Sequence, residues 1–558
     1  MKFPRLTRLL PTRKNAALAV VSAVLLIFAF PDFDLWFLAW FALAPLLWAI
    51  SRQSESTLRS FILGWLWGMI FFTGTCWWLT FAPVTYAGFP SWLAYLLLLF
   101  VTTIVGVFPG IFGAIVSILF RRFGTRALLA APFVWVFTEF LRYWLTGNNW
   151  NALAYSQAFG RYFIEYASIG GIYFVGFLLF IATGITVSSF MWIATAAQSL
   201  YRDPSRVSKN EEVELIELSG DEPGRPNWLE VVILFSGLIL FFLISALLPP
   251  SSTHSATAAT VVAIQPNVPM SGLDESRWRQ LRAKHVELAE TGLASIQRDP
   301  QSAIRNPQST TVVFPESPMN FMWEDDEEFR NFVHAFAAKH DVQLLFNSAE
   351  PDGPNNKYFN SAVLVGPDGR ELAQYDKIYL LPFGESVPAP LQSIVPAFVG
   401  SFSYGKEYDL LPLGEAKAGV MICFESHFGE LGREYVRNGA DVIIEMTNDG
   451  YLGPTPVLRQ HLANAVFRAV ETNRPVIRAT NVGVTAYISE RGEIRDAAEG
   501  YTEASRVWSV AKSDGSQTFY VKYGDWFAWL CSLVTIGLLG WAFVGRRRDE
   551  KRMAVPPA

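Results

Sequence analysis

The sequence predicts two fold classes in one chain. One is a multi-span α-helical membrane domain of about eight spans. The other is an extracytoplasmic α/β layered domain inserted before the last span. Three observations predict this. Of 558 residues, 51% are hydrophobic and 17% charged, and the apolar residues come in blocks. Lys and Arg gather at alternating ends of those blocks. From about 257 to 515 the composition becomes that of an ordinary globular domain, with short β-like runs between helical patterns.

The blocks run Ala16–Phe30, Leu35–Ile50, Phe61–Phe81, Trp92–Phe120, Ala127–Leu145, Tyr166–Ala197, Val231–Leu248 and Phe527–Val544. A crossing needs roughly 17–25 mostly apolar residues. The first two are short and meet at Pro31-Asp32-Phe33-Asp34, which suits a tight helical hairpin with both aspartates at the surface. Further spans follow at once, so the first block reads as an uncleaved anchor rather than a signal peptide. Residues 1–248 are thus a seven-span domain, 526–545 the eighth span and 546–558 a tail.

Basic residues orient the path. Lys2, Arg5, Arg8, Arg13 and Lys14 precede the first span. Arg52 and Arg59, then Arg121, Arg122 and Arg126, then Arg202, Arg206 and Lys209 lie in alternate loops, and Arg546, Arg547, Arg548, Lys551 and Arg552 follow the last span. All fall on one side, so both termini are expected in the cytoplasm and the 257–515 domain on the outer face of the membrane. Glu139 and Arg142 share a helix face inside the fifth span and can pair there, as a structural ion pair or a functional site. The acidic stretch Asn210–Pro226 reads as a solvated linker. A net charge of −5, without a basic patch, argues against a nucleic-acid partner.

In the inserted domain, strands are predicted over Thr260–Gln265, Thr311–Phe314, Gln343–Asn347, Ser361–Val365, Ala418–Cys423, Val442–Met446, Val476–Ala479 and Thr485–Ile488. Helices are predicted over Arg277–Ile296, Glu327–Lys339 and Val457–Thr472, and turns at Gly366-Pro367-Asp368-Gly369 and Ser489–Glu493.

Three segments carry the chemistry. Val312-Val313-Phe314-Pro315-Glu316-Ser317 is a strand that ends in Pro-Glu. Gln374–Glu385 holds Lys377 and then Pro382-Phe383-Gly384-Glu385. Gly419-Val420-Met421-Ile422-Cys423-Phe424-Glu425-Ser426 is an apolar strand that ends at a cysteine. Each places a reactive side chain where a strand gives way to a loop. A thiol attacks a carbonyl only as thiolate, so it needs a base and a positive neighbour. Glu316 can take the proton, and Lys377 can lower the thiol pKa and hold an oxyanion. Cys76 and Cys531 sit in apolar blocks, so Cys423 has no evident disulfide partner in its domain.

The ordered set Pro-Glu-Ser, Lys with Pro-Phe-Gly-Glu, and Ile-Cys-Phe-Glu resembles the Glu-Lys-Cys pattern of the nitrilase superfamily. With eight spans, it is similar to the apolipoprotein N-acyltransferase family. Thr138–Arg142, Trp150–Gln157, Thr447–Tyr451, Arg478–Ala486 and Tyr523–Trp526 extend the likeness along the chain. The resemblance implies an αββα nitrilase-type sandwich, with Glu316 as base, Lys377 as oxyanion stabiliser and Cys423 as acyl carrier. It implies Glu385 as support for Lys377, and Glu425 as an acidic residue beside the nucleophile. Phe424 and Tyr451 stand where the family often has Tyr and Trp, and Trp278 is the nearest candidate for an early-domain Trp of functional weight. It further implies a phospholipid acyl donor and a diacylglyceryl apolipoprotein acceptor.

His427 would share a strand face with Cys423 if the strand ran on; a turn is expected at Cys423, so a structural or exposed histidine is favoured over a Cys-His dyad. His461, on the Val457–Thr472 helix, reads as structural. The six histidines lack metal-ligand spacing, so no metal and no cofactor are expected. Two alternatives stand beside this reading: a membrane-tethered amidase or nitrilase that would use the same three residues with water as acceptor, and a non-catalytic membrane receptor or transporter with a degenerate nitrilase-like domain, which an intact triad argues against.

Overall fold

A computed structural model describes residues 9–160, 163–202, 257–298, 310–316, 319, 321–382, 384–387 and 402–553. The seventh apolar block and the Asn210–Pro226 linker lie outside the described residues. The chain divides into two compact units. One comprises Met1–Gly160, Ile172–Pro249 and Asp525–Ala558; the other, Arg161–Gly171 and Pro250–Gly524.

The first unit is helical: α1 (Arg13–Ala29), α2 (Ala44–Arg52), α3 (Thr57–Thr75), α4 (Phe81–Thr85), α5 (Ser91–Val105), α6 (Val107–Phe123), α7 (Ala127–Thr146), the part of α8 (Ala167–Arg202) that follows a break at Gly170 and Gly171, and the C-terminal helix Trp526–Met553. Among the described residues, three runs are long and apolar enough to cross a bilayer: Ser91–Thr146, Ile164–Ile193 and Trp526–Val544. The first holds α5, α6 and α7 in succession. The expected span Phe61–Phe81 breaks after Thr75, where Thr57–Thr75 and Trp77–Thr85 bend by 64°. The expected span Trp92–Phe120 is interrupted at Gly106, three residues before Pro109, whose missing N–H cannot bond back to Val105. At the first hairpin, Phe33 and Asp34 N–H both bond the Phe30 carbonyl, and Asp32 is exposed while Asp34 is half-buried.

Backbone contact holds α3 against α6. A Cβ on Gly64 would overlap the Pro109 carbonyl, one on Gly113 the Ser60 carbonyl, and one on Gly68 would lie 2.9 Å from the Gly106 Cα. Small residues four apart let apolar helices approach closely where lipid supplies no hydrophobic drive. Gly113→Leu is therefore expected to cost at least about 1–3 kcal/mol, since neither backbone can yield. A fall in melting temperature of the detergent-solubilised protein checks this; an unchanged melt would contradict it.

Glu139 and Arg142 interact through their charges. Each also bonds a buried loop. Glu139 Oε1 accepts the Leu153 N–H at 2.8 Å, and Arg142 donates to the Trp150 carbonyl at 2.9 Å and to Asn149 Oδ1 at 2.8 Å. One helical turn of α7 thereby satisfies polar backbone that could not otherwise be buried.

The second unit has strands β1 (Thr257–Gln265), β2 (Thr310–Val313), β3 (Gln343–Asp352), β4 (Lys357–Val365), β5 (Glu371–Asp376), β6 (Phe402–Ser403), β7 (Leu410–Leu413), β8 (Ala416–Ile422), β9 (Val442–Thr447), β10 (Val476–Thr480), β11 (Ala486–Ile488), β12 (Ile494–Arg495) and β13 (Ala504–Ala511). Its helices are α9 (Glu275–Arg298), α10 (Glu327–His340), α11 (Gly429–Arg437), α12 (Val457–Thr472) and the short α13 (Phe519–Tyr523).

Two sheets form, ordered β13-β1-β2-β3-β4-β5, with β6 beside β4, and β12-β11-β10-β9-β8-β7. In each, three parallel strands (β1-β2-β3 and β8-β9-β10) are flanked by antiparallel partners. Val262, Ile264, Val312, Phe314, Leu344 and Phe346 pack outward on Leu281, Leu288, Phe329, Val333 and Phe336 of α9 and α10. Gly419 and Gly432 let α11 close onto β8 on the other side. The sheets meet inside, for example where Thr480 Oγ1 donates to Gln265 Oε1 at 3.0 Å. Strands covered on both faces read as continuous apolar runs, as β1, β8 and β9 do. Both expected turns are present: Gly366 N–H bonds the Arg370 carbonyl, and Ser489 N–H the Glu493 carbonyl.

Candidate active site

Glu316 lies three residues past β2, Lys377 directly after β5 and Cys423 directly after β8. Two sheets thus deliver three side chains to one place. Lys377 Nζ stands 4.0 Å from Glu316 Oε1 and 2.8 Å from Glu385 Oε1. The Cys423 thiol lies within reach of both charges: Glu316 opposes its ionisation and Lys377 favours it.

Each group is held by several bonds. Asn360 of β4 donates to Glu316 Oε1 at 3.2 Å and to Glu385 Oε1 at 2.6 Å. The Asn448 N–H donates to Glu316 Oε2 at 3.0 Å, and the Leu381 N–H to Glu385 Oε2 at 2.7 Å. Cys423 adopts φ +52°, a left-handed conformation that L-residues seldom keep, and opens the 3-10 turn Cys423–His427. The strand therefore ends at the sulfur.

Burial opposes charge on Lys377, but Glu385 and Glu316 outweigh it and hold the ammonium above its ordinary range. Burial, Glu316 and Asp449 push the Cys423 thiol well up, with Lys377 opposing. Burial also raises Glu316, while Lys377 lowers it. At rest the thiol is held neutral beside a fixed ammonium and a Glu316 carboxyl whose proton affinity burial raises. A raised base accepts a proton more readily as the thiol attacks, and the ammonium is in place for an oxyanion.

Glu425 does not join the triad. It is fully buried, accepting from Tyr375 Oη (2.8 Å), the Ile378 and Tyr379 N–H groups (2.7 and 3.0 Å) and the Ile422 N–H (2.9 Å). It ties the Lys377 loop to the Cys423 turn, and burial pushes its carboxyl up to about 7. Phe424 is buried and stacks on His427 at 5.6 Å. Tyr451 is half exposed on the turn after β9. Trp278 lies in the first turn of α9 and packs on the outer helix–sheet core. Among the described residues, no hydrogen bond or ring contact joins it to the triad.

Asn360 went unread in the sequence because a lone amide inside a strand is ordinary. So did the function of a buried network behind the cysteine. His461 Nδ1 is 2.6 Å from Asp449 Oδ1, and its Nε2 is 3.1 Å from Glu445 Oε1 and 3.0 Å from the Cys423 carbonyl. Arg478 contacts Glu445 at 2.5 Å and Asp449 at 2.8 Å. Its one sequence signal is a single charged residue in each of two strands otherwise apolar, Glu445 in β9 and Arg478 in β10. No group of three or more His, Cys, Asp or Glu among the described residues is placed to hold a metal ion.

Residues 265–513 match the family model for carbon-nitrogen hydrolases, and residues 22–185 match that for the apolipoprotein N-acyltransferase N-terminal domain. Together with the two-sheet sandwich, these matches define an acyltransferase built on a nitrilase-type domain. Relatives match along nearly the whole chain. The chain is 30% identical over 529 residues to the apolipoprotein N-acyltransferase of Geobacter metallireducens, covering 93% of each chain. It is 28% identical over 544 residues to that of Pasteurella multocida (95% and 96% covered) and 27% over 550 residues to that of Thermotoga maritima (96% and 95%). The chain belongs to the apolipoprotein N-acyltransferase family. Among solved structures it is similar to an amidase from Nesterenkonia sp. AN1, at 15% identity and TM-score 0.33 over 47% of this chain and 93% of that one.

Proposed function

We propose that this chain transfers a fatty acyl group from a phospholipid to the α-amine of the N-terminal diacylglyceryl-cysteine of an apolipoprotein, through a thioester on Cys423. The meeting of Cys423, Glu316 and Lys377 at the ends of three strands carries the reading, within a family of N-acyltransferases.

In the first half, Glu316 takes the thiol proton as sulfur attacks the ester carbonyl, and Lys377 faces the oxyanion. The C–O bond breaks and Glu316 returns the proton to the departing lysophospholipid. In the second half, the amine attacks the thioester carbonyl and yields its proton to Glu316. The C–S bond breaks, and the proton returns to sulfur. Glu385 keeps Lys377 in place, and Glu425 positions both loops. On this reading the chain crosses a bacterial inner membrane eight times, with both termini cytoplasmic and the catalytic domain periplasmic. The basic residues on alternate loops support that path, and spans suit an enzyme whose two substrates are both lipid-embedded.

Mass spectrometry after incubation with phosphatidylethanolamine tests it. The expected result is a gain of one acyl chain on Cys423, discharged by a diacylglyceryl peptide with formation of its amide. Discharge by water alone at the same rate would favour an amidase-like hydrolase. No adduct in an active preparation would overturn the thioester.

A further inference from the structure

We infer that His461, as an imidazolium set between Asp449 and Glu445, is a positioning residue that locks the backbone of Cys423 and balances the charge behind its sulfur. The inference rests on Cys423 being the nucleophile.

Two observations meet here. The first is geometric. Cys423 holds φ +52° at a strand end, and its carbonyl has the His461 Nε2 at 3.0 Å. A donor on that carbonyl fixes the peptide that follows the cysteine, and with it the direction of the thiol. A neutral imidazole protonated on Nδ1 toward Asp449 would turn a lone pair to the carbonyl. Only a proton on Nε2 gives a bond, and the second carboxylate at that nitrogen, Glu445, favours it.

The second is electrostatic. The group consists of His461 on α12, Asp449 in the turn after β9, Glu445 on β9 and Arg478 on β10, and all four are buried. With His461 charged, two cations offset two carboxylates. With His461 neutral, one negative charge remains unbalanced behind the thiol. The other charged groups facing the thiol are Glu316 and Lys377, with Glu385 behind Lys377. Asp449 already opposes the thiolate, and Arg478 interacts with it. Losing a cation from this layer makes the thiolate harder to form. Burial disfavours charge on His461 and Arg478 adds to that, but Asp449 and Glu445 prevail and push the imidazole up to about 9. The sign for stability follows. A group raised on folding stabilises fully below its unfolded value, near 6.5, and this contribution is lost as pH rises through about 9.

The test uses the full-length protein in detergent and reads iodoacetamide labelling of Cys423 by mass spectrometry against pH. His461→Gln removes the charge, and Asp449→Asn removes a carboxylate from the same layer. The expected result is a labelling profile moved up by about one pH unit in His461→Gln, about tenfold slower at neutral pH, and moved down in Asp449→Asn. The double variant should lie between them. A packing role alone would slow both variants or neither; profiles that move together, or stay on that of the parent, overturn the inference. Melting curves of each variant confirm that a folded protein was labelled. Failure of the nucleophile reading would show differently: a parent protein that acylates normally after Cys423 is fully blocked.

Discussion

Cys423→Ala is expected to abolish formation of the acyl-enzyme and to lower transfer by about 10⁴-fold or more, because no other nucleophile can accept the acyl group between donor and acceptor. Stability should change little. The sulfur sits at the start of a turn whose bonds are made by backbone, Glu425, His461 and Arg468, none of which the substitution removes. Cys423→Ser separates two causes. It keeps an O–H toward Glu316, yet an alcohol is much less acidic than a thiol. Serine is therefore expected to give a slowly formed ester that accumulates. Acyl transfer measured on a fluorescent or alkyne-labelled phospholipid checks both variants. Normal transfer by Cys423→Ala would remove the sulfur from the chemistry and leave the remaining residues to be explained as architecture.

Lys377→Met is expected to damage both rate and fold. Lys377 is fully buried, 2.8 Å from one carboxylate and 4.0 Å from another. Methionine matches its length but leaves Glu316 and Glu385 facing each other through Asn360 with no cation. Breaking a buried pair by removing one partner typically costs about 3–5 kcal/mol. The carboxylates relieve this by retaining a proton. Burial already raises Glu316 and Lys377 holds it down, so its removal raises Glu316 further. A base that must be ionised is then lost at a higher pH. The acid limb of acyl-enzyme formation should move upward, in addition to a loss of about 10²–10³-fold from the missing oxyanion partner. Transfer rate against pH, together with a melting curve, reads both effects. An acid limb that does not move would mean that Glu316 and Lys377 are not coupled in the working enzyme.

Glu316, Lys377 and Cys423 were legible as a candidate set because two of them follow apolar runs, Val312–Phe314 before Pro315-Glu316 and Gly419–Ile422 before Cys423, while Lys377 follows the more polar Glu371–Asp376 and was picked out by Pro382-Phe383-Gly384-Glu385 after it. Buried parallel strands announce themselves as unbroken apolar stretches, so β1, β2, β8, β9 and β10 could be read directly. The last strand could not. Ala504–Ala511 mixes Ser and Arg with Val and Trp, since it pairs on only one side and is half exposed. Helix α11 was missed for being nine residues long, and its apolar face shows only once β8 is known to lie beneath it. Helix α12 is buried around nearly its whole circumference, which hid the reason for His461. Its partners come from β9, β10 and a turn, and nothing in one stretch of sequence links them. The same holds for Asn360, whose importance lies in two carboxylates that arrive from other strands. In the membrane, mean apolarity marked the helices, whereas the breaks at Gly106 and after Thr75 depend on a proline and on how neighbouring helices pack.

The pairing of β1 with β13 sets an order of assembly. Thr257 lies opposite Ala511, so the first strand of the domain finds one neighbour only when its last strand has emerged from translation. Until then β1 presents a bare row of N–H and C=O groups along nine residues rich in Val, Ala and Ile. Contacts this distant in sequence form slowly. A chain arrested shortly before residue 504 would thus carry a nearly complete active site on an open β edge, and would be a target for chaperones and proteases rather than a partly active enzyme.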